Sequence, residues 1–236
     1  MDLSVAVLAL ITGYLIGAIP FSRLISLLVA KEDVIEDIEI PVPGTEETFR
    51  ITATGASTAS MRLGGPVGCL IGLLDILKVA LPTLAFKLLF PGQPYFLIVA
   101  VAGMVGHNWP VFTRFKGGRG ISAAYGGLLV VDWLGALICA FGGMFGGLLI
   151  FRDFLMAYIS GLWLAIPWLW FTTYDPAYLL YAVAINILFI LAMIPDLRQY
   201  LRLRKSGKID MRDAMATSPM GRGMMKMMQK LRLMKE

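Results

Sequence analysis

Long apolar runs, separated by turn-forming and charged residues, dominate this sequence. A helix needs about 20 apolar residues to cross the roughly 30 Å hydrocarbon core of a bilayer. The pattern therefore predicts an all-α integral membrane protein, a bundle of about seven transmembrane helices. The predicted segments lie near residues 3–29, 67–90, 95–113, 121–131, 134–151, 154–173 and 177–195.

The segment 121–131 is short for a crossing, because its residues rise only about 17 Å as a helix. It is tilted and packed against neighbours, re-entrant, or extended back through the preceding glycines. If all segments cross and the N-terminus is outside, most basic residues fall on the cytoplasmic side, as the positive-inside rule requires. We therefore predict an N-out, C-in orientation. The cations on that side are Lys31, Arg50, Arg62, Arg114, Lys116, Arg119, Arg152 and the basic tail from Arg198 onward.

The composition supports a membrane protein. Hydrophobic residues make up 58% of the chain and charged residues 16%, against roughly 45–50% and about 25% in soluble domains. The apolar run 3–29 is longer than a signal-peptide core and has no basic start, so we expect it to be a retained first span. Cys69 and Cys139 lie in apolar runs, and with a single histidine they predict neither a disulfide nor a zinc site. We expect no metal and no nucleic-acid partner.

Two regions are predicted to lie outside the membrane-embedded domain, which we place at residues 1–200. The cytoplasmic insertion 31–53 is acidic, and its alternating pattern and Pro-Gly turn indicate either a hairpin from about Val34 to Ile51 or a solvated linker. The basic, methionine-rich tail 201–236 is either an amphipathic helix on anionic headgroups or a disordered segment. The sequence leaves both pairs of alternatives open.

The segment 106–120 carries the strongest chemical signal. Within it, Phe115-Lys116-Gly117-Gly118-Arg119-Gly120 places three glycines and two cations just before an apolar segment. Glycines let successive N–H groups form an anion nest, and a helix beginning at Ile121 would add its positive dipole end. Basic residues at a membrane boundary are also common topology signals. The dense glycines and the adjoining Gly106-His107-Asn108 favour phosphate binding.

Two further clusters are candidates for the same site. Residues 54–62 form a run of small and hydroxyl residues that ends in Arg62, and it suits either a phosphate group or a loop before the second span. Asp75 and Lys78 are three residues apart in that span, so they share a helix face. Since charges facing lipid are costly, we expect them to pair with each other or with the loop clusters, and so to orient the site from within the bundle. A general-base role for Asp75 is the less favoured alternative.

These segments together resemble the bacterial acyl-phosphate-dependent glycerol-3-phosphate acyltransferases, a family with seven spans. The order of motifs matches: Gly17-Ala18-Ile19-Pro20-Phe21, the loop ending in Arg62, Leu74-Asp75-Ile76-Leu77-Lys78, and the segment 106–120. The last is the most specific, since the family pattern Gly-His-x-x-Pro-Val-Phe-x-x-Phe-Lys-Gly-Gly-Lys-Gly differs here only by Arg119 for the final lysine.

The resemblance implies transfer of an acyl group from an acyl phosphate to the 1-hydroxyl of sn-glycerol 3-phosphate, giving lysophosphatidic acid at the cytoplasmic face of the inner membrane. It implies no metal or nucleotide cofactor, and we expect a monomer in contact with membrane lipids. It also implies site residues. The catalytic candidates are His107 and Lys116, and the substrate-binding candidates are Thr54, Ser57, Arg62, Asn108, Gly117, Gly118, Arg119, Gly120 and Arg202.

Two motifs depart from the family pattern. Residues 54–58 lack both asparagines of the family's first loop. Residues 196–207 keep Arg202, Leu203 and Gly207 but lack the histidine, asparagine and glutamate of its third motif. These departures motivate a rival hypothesis, an acyltransferase for a different polyol-phosphate acceptor. A phosphate or headgroup binding protein or transporter is a further alternative, although no inverted repeat supports transport.

Overall fold

Helices make up most of the described chain. The computed structural model describes residues 1–31, 38–41, 48–51, 53–147 and 154–205. Its helices are α1 (Leu3–Gly17), α2 (Phe21–Ala30), α3 (Ala56–Leu63), α4 (Gly65–Leu89), α5 (Tyr95–Asn108), α6 (Ile121–Val131), α7 (Trp133–Gly146), α8 (Phe154–Thr173) and α9 (Pro176–Lys205). Two strands, β1 (Ile38–Pro41) and β2 (Thr48–Ile51), precede α3, and a short 3-10 turn, Val111–Thr113, follows α5.

Four segments of the described residues are long and apolar enough to cross a membrane: 3–30, 65–89, 95–113 and 176–199. The helices α6 and α7 and residues 159–173 of α8 are apolar but shorter. The sixth helix has the predicted bounds 121–131, and α9 continues as a helix well past the predicted end at residue 195. The end of the predicted segment 134–151 and the tail from residue 206 lie outside the described residues.

The first predicted span is not one continuous helix. α1 ends at Gly17 and α2 begins at Phe21, so the predicted span 3–29, which matches the candidate span 3–30, contains a break between two helices. The physical cause is Pro20, which has no N–H to donate and disfavours the helical conformation for Ile19 before it. The Lys78 ammonium donates a 2.9 Å hydrogen bond to the Ile19 carbonyl. The membrane-embedded Lys78 side chain thus supplies a hydrogen-bond donor to a backbone carbonyl at the break.

The insertion contains the predicted hairpin. β1 and β2 pair antiparallel, with Glu39 opposite Arg50 in the register, whereas residues 42–47 between the strands lie outside the described part. The Gln199 side chain on α9 donates a 3.2 Å hydrogen bond to the carbonyl of Thr48 in β2. Among the described residues, the hairpin is therefore joined to the C-terminal part of α9.

Close helix packing brings the broken first span to the end of α5. α1 packs along α5, and glycines line the contact on both helices, because an added Cβ at Gly13 would lie 2.5 Å from the carbonyl oxygen of Val99. A Cβ added at Gly17 or at Gly106 would likewise overlap the backbone of the facing helix. Small residues allow such close approach where helices associate in a membrane. The break at residues 18–20 consequently lies beside the helix that carries His107.

Candidate active site

Residues 109–120 form a tight loop between α5 and α6. Phe115 N donates to the Pro110 carbonyl over 2.9 Å, and Lys116 N donates to the Thr113 carbonyl over 3.1 Å. The Thr113 hydroxyl donates to the Lys116 carbonyl over 2.6 Å. Arg114 and Phe115 both have left-handed backbone conformations, with φ of 53° and 61°. This sharp turn directs the chain back along α5 immediately before the glycines.

The glycines at 117 and 118 let the loop lie directly against the end of α5. Gly118 N donates to the His107 carbonyl over 3.1 Å. A Cβ added at Gly118 would lie 2.8 Å from Cε1 of His107 and nearer still to its Nε2, and one added at Gly117 would lie 2.5 Å from the Asn108 carbonyl oxygen. Of the loop glycines, only Gly120 has a positive φ, of 87°. Gly117 and Gly118 are therefore required by the close approach of the loop to α5 and not by unusual backbone angles.

The N-termini of two helices converge beside this loop. α6 begins directly after Gly120, as predicted, and α3 begins directly after Gly55. An added Cβ at Gly55 would lie 3.8 Å from the Gly118 Cα, and Ala56 and Ser122, in the first turns of α3 and α6, both flank Gly72. The N-terminal end of a helix carries partial positive charge and N–H groups without helical acceptors. Both ends therefore add to a potential that favours an anion.

Thr54 joins the segment after the hairpin to the glycine loop, residues 109–120. Its backbone N–H donates to the Gly117 carbonyl over 3.1 Å, and its hydroxyl donates to the Lys116 carbonyl over 3.3 Å. Ser22 on α2 donates to the Thr54 carbonyl over 3.5 Å. Thr54 thus holds the backbone of the loop from the side opposite α5.

A cleft opens where these parts meet. The space between its walls, counted together with the open solvent at its mouth, is about 230 Å³. Its walls come from the break in the first span, the segment before α3, the second predicted span and the glycine loop. The lining residues are Gly17, Ala18, Ile19, Pro20, Phe21, Ser22, Thr54, Asp75, Lys78, His107, Pro110, Lys116, Gly117 and Gly118.

A buried group of charged and polar side chains forms one wall of the cleft. Lys78 Nζ lies 2.7 Å from Asp75 Oδ1, with side chains only 4% and 3% exposed. The same carboxylate oxygen lies 3.6 Å from His107 Nδ1. The predicted pairing of Asp75 with Lys78 is confirmed. A carboxylate that is so deeply buried requires an opposite charge nearby, and Lys78 provides it.

The structure brings five of the predicted site residues to the cleft: Thr54, His107, Lys116, Gly117 and Gly118. The other six do not line it. Ser57 and Arg202 are exposed residues of α3 and α9, Arg62 lies in the last turn of α3, and Asn108 is buried with its amide 3.4 Å from the Leu188 carbonyl. Gly120 precedes α6, and Arg119 faces α9.

Arg119 makes a bidentate ion pair with Asp196 on α9. Its Nε donates to one carboxylate oxygen over 2.6 Å and its Nη2 donates to the other over 2.5 Å. Its Nη1 also donates to the Ala192 carbonyl over 2.9 Å. Sequence reasoning missed Asp196 as a partner, because 77 positions separate the two residues. The only available signal was a carboxylate at the end of an apolar run.

Sequence reasoning also omitted the residues of the helix break from the site. Gly17, Ala18, Ile19 and Pro20 line the cleft, although only their motif, and not a break, was recognised. A glycine and a proline three residues apart inside an apolar run are the signal that could have revealed it.

Comparisons with known proteins identify the family. The model of the family described as glycerol-3-phosphate acyltransferase matches residues 7–203. A glycerol-3-phosphate acyltransferase of Mycoplasmopsis synoviae strain 53 is 30% identical over 183 residues, which cover 72% of this chain and 75% of that protein. The chain spans between 51% and 75% of the length of eight curated relatives that it matches.

Solved structures give the same result. The crystal structure of PlsY, an integral membrane glycerol 3-phosphate acyltransferase, in its glycerol 3-phosphate form has a TM-score of 0.70 and 27% identity, covering 87% of this chain and 94% of that one. Its lysophosphatidic acid form has a TM-score of 0.68 and 26% identity over the same shares. The chain is a multi-pass integral membrane protein that belongs to the glycerol-3-phosphate acyltransferase family, which confirms the resemblance.

Proposed function

We propose that this protein transfers an acyl group from an acyl phosphate to the 1-hydroxyl of sn-glycerol 3-phosphate, giving lysophosphatidic acid. The observation that carries the proposal is the cleft, where Lys116 and the N-terminal ends of α3 and α6 lie beside the glycine loop. Both substrates are phosphate anions, and these groups supply the positive potential that such anions require. The glycerol 3-phosphate form of the related PlsY structure supports this choice of acceptor.

The proposed reaction is a direct displacement. The acceptor hydroxyl oxygen forms a bond to the acyl carbonyl carbon, the bond from that carbon to the phosphate oxygen breaks, and the departing phosphate takes the hydroxyl proton. Lys116 stabilises the negative charge that develops on the leaving phosphate, while His107, beside Gly118 and Asp75, helps to position the reactants. The described cleft contains no serine or cysteine paired with His107, so an acyl-enzyme intermediate is not part of the proposal.

The arrangement in the membrane is part of the same proposal. Seven crossings with the N-terminus outside place the cleft at the cytoplasmic face of the inner membrane, where both soluble and lipid substrates reach it. The asymmetric distribution of basic residues supports this orientation. A membrane-embedded unit 1–200, a cytoplasmic insertion 31–53, a cytoplasmic tail 201–236 and a monomeric state complete it.

Purified full-length protein in detergent, assayed with a synthetic acyl phosphate, tests the function. Product with glycerol 3-phosphate supports the proposal. Product only with other polyol phosphates supports the rival acceptor that the altered first and third motifs suggest, and the absence of product with any acceptor leaves a binding role.

The variant Lys116→Ala tests the role of the cleft cation. We expect at least a 100-fold loss of kcat/KM, since one well-placed donor to a developing anion contributes about 10²–10³ in rate. Arg114→Ala is the matched control, because Arg114 is an exposed cation of the same loop that does not line the cleft. Near-normal transfer by a folded Lys116→Ala protein would remove Lys116 from the mechanism.

A further inference from the structure

The position of Arg119 in the glycine motif predicts a phosphate ligand, but in the structure its guanidinium binds a carboxylate. It contacts both carboxylate oxygens of Asp196, and the two side chains are only 19% and 17% exposed. Two parallel hydrogen bonds to one carboxylate require a planar fork, which arginine has and lysine lacks. An arginine at this position, where the family pattern has lysine, is suited to this pairing.

The partner segment of α9 lies at a proline. Pro195 has no N–H and weakens the helical bonding of the preceding turn. Arg119 adds a donor to that turn through the Ala192 carbonyl, and Asp196 follows the proline directly. The guanidinium therefore contacts α9 on both sides of Pro195 and fastens the glycine loop to it.

The other end of the loop is held by two hydroxyls. The hydroxyls of Thr113 and Thr54 both donate to the Lys116 carbonyl, over 2.6 Å and 3.3 Å. Lys116 is thus followed, three residues later, by a second attachment point at Arg119. The backbone between these points comprises Gly117 and Gly118, which have no side chains and are held by backbone hydrogen bonds to Thr54 and His107.

We propose that Arg119 is a positioning residue, and that its pairing with Asp196 holds the glycine loop so that Lys116 faces the substrate phosphate. Asp196 is its obligatory partner in this role. The inference rests on the proposed acyl-transfer function and assigns a task to two residues of that site. The two roles predict different effects of removing Asp196. If Arg119 binds the substrate phosphate directly, loss of Asp196 leaves the guanidinium able to bind it. If Arg119 positions the glycine loop, loss of Asp196 impairs substrate binding as much as loss of Arg119 does.

Kinetics of five variants and one control of the full-length protein separate the two roles. We expect Arg119→Gln and Asp196→Asn each to raise the KM for glycerol 3-phosphate by about tenfold with a smaller change in kcat. The double variant should be no worse than Arg119→Gln alone, because that variant has already lost the ion pair with Asp196. Arg119→Lys keeps the charge but loses one of the two parallel hydrogen bonds, so its KM should lie between those of the wild type and Arg119→Gln. Asp196→Glu should retain most of the affinity. Arg198→Gln is the control, an exposed cation on the same helix.

Specific outcomes overturn the inference. If Asp196→Asn keeps the wild-type KM while Arg119→Gln raises it, Arg119 acts directly on the phosphate. Additive effects in the double variant also refute the pairing.

A parallel binding measurement separates failure of this inference from failure of the proposed function. Should the wild-type protein bind glycerol 3-phosphate by calorimetry without transferring an acyl group, the function fails, and the same variants are compared by their dissociation constants. If the wild-type protein neither transfers nor binds glycerol 3-phosphate, both proposals fall.

Discussion

The contact between Gly118 and His107 gives a sharp test of the site geometry. A Cβ in Gly118→Ala would lie 2.8 Å from His107 Cε1 and 3.1 Å from its Cδ2, whereas carbon atoms in contact are normally about 3.5–4.0 Å apart. The ring must therefore move by roughly 0.7 Å or more. Because the clash is with a side chain and the Gly118 backbone angles suit any residue, we expect the protein to fold with a stability loss of about 1–3 kcal/mol.

The predicted effect on activity is larger. A displacement near 1 Å in an active site can cost about 10²-fold in rate, so kcat/KM of Gly118→Ala should fall by about that factor in the detergent acyl-transfer assay. Gly65→Ala is the matched control, since an added Cβ there meets nothing within 4 Å. It should keep full activity.

A background experiment identifies the cause of the loss. If Gly118→Ala acts by displacing His107, it should cause little further loss in a His107→Ala protein. Wild-type kcat/KM in Gly118→Ala, or independent losses in the double variant, would refute the reasoning that the position of the imidazole matters.

Two further predictions concern stability, measured as thermal unfolding in detergent. Lys78→Met leaves the buried Asp75 carboxylate unpaired and should cost about 3–5 kcal/mol; adding Asp75→Asn should recover part of it, and no recovery would argue against the pairing. Trp168→Phe removes the 2.7 Å hydrogen bond from Nε1 to Asp132, which also caps α7, and should cost about 1–3 kcal/mol. An unchanged midpoint would show that this bond contributes nothing to the fold.

Local patterns predicted the parts of this fold that local chemistry determines. The start of α6 after Gly120 follows from a glycine run that ends where an apolar segment begins, and the hairpin follows from alternation around a turn. The pairing of Asp75 with Lys78 follows from their spacing on one helix and the cost of charge in lipid. Each of these needs only a few neighbouring residues.

Other features depend on tertiary contacts and escaped prediction. The first span reads as one apolar helix, and its break at Pro20 becomes stable where Lys78 of another helix reaches the Ile19 carbonyl. The pairing of Arg119 with Asp196 joins distant segments, and no local pattern distinguishes it from a ligand role. Arg202 matches the family pattern in residue type, but it is exposed on α9 and does not line the cleft. A matching residue type alone therefore does not bring a side chain to the cleft.

The different sequence separations of the two ion pairs have a consequence for membrane insertion. Asp75 and Lys78 lie on one helix turn, so they neutralise each other while α4 enters the bilayer alone, which lowers the insertion cost of about 2.5–3.5 kcal/mol for each charge at the membrane centre. Arg119 and Asp196 meet only after α9 has been made. During biogenesis the buried ion pair of the cleft would therefore form early, and the glycine loop would be fixed last. A chain truncated before α9 should insert into the membrane but remain inactive.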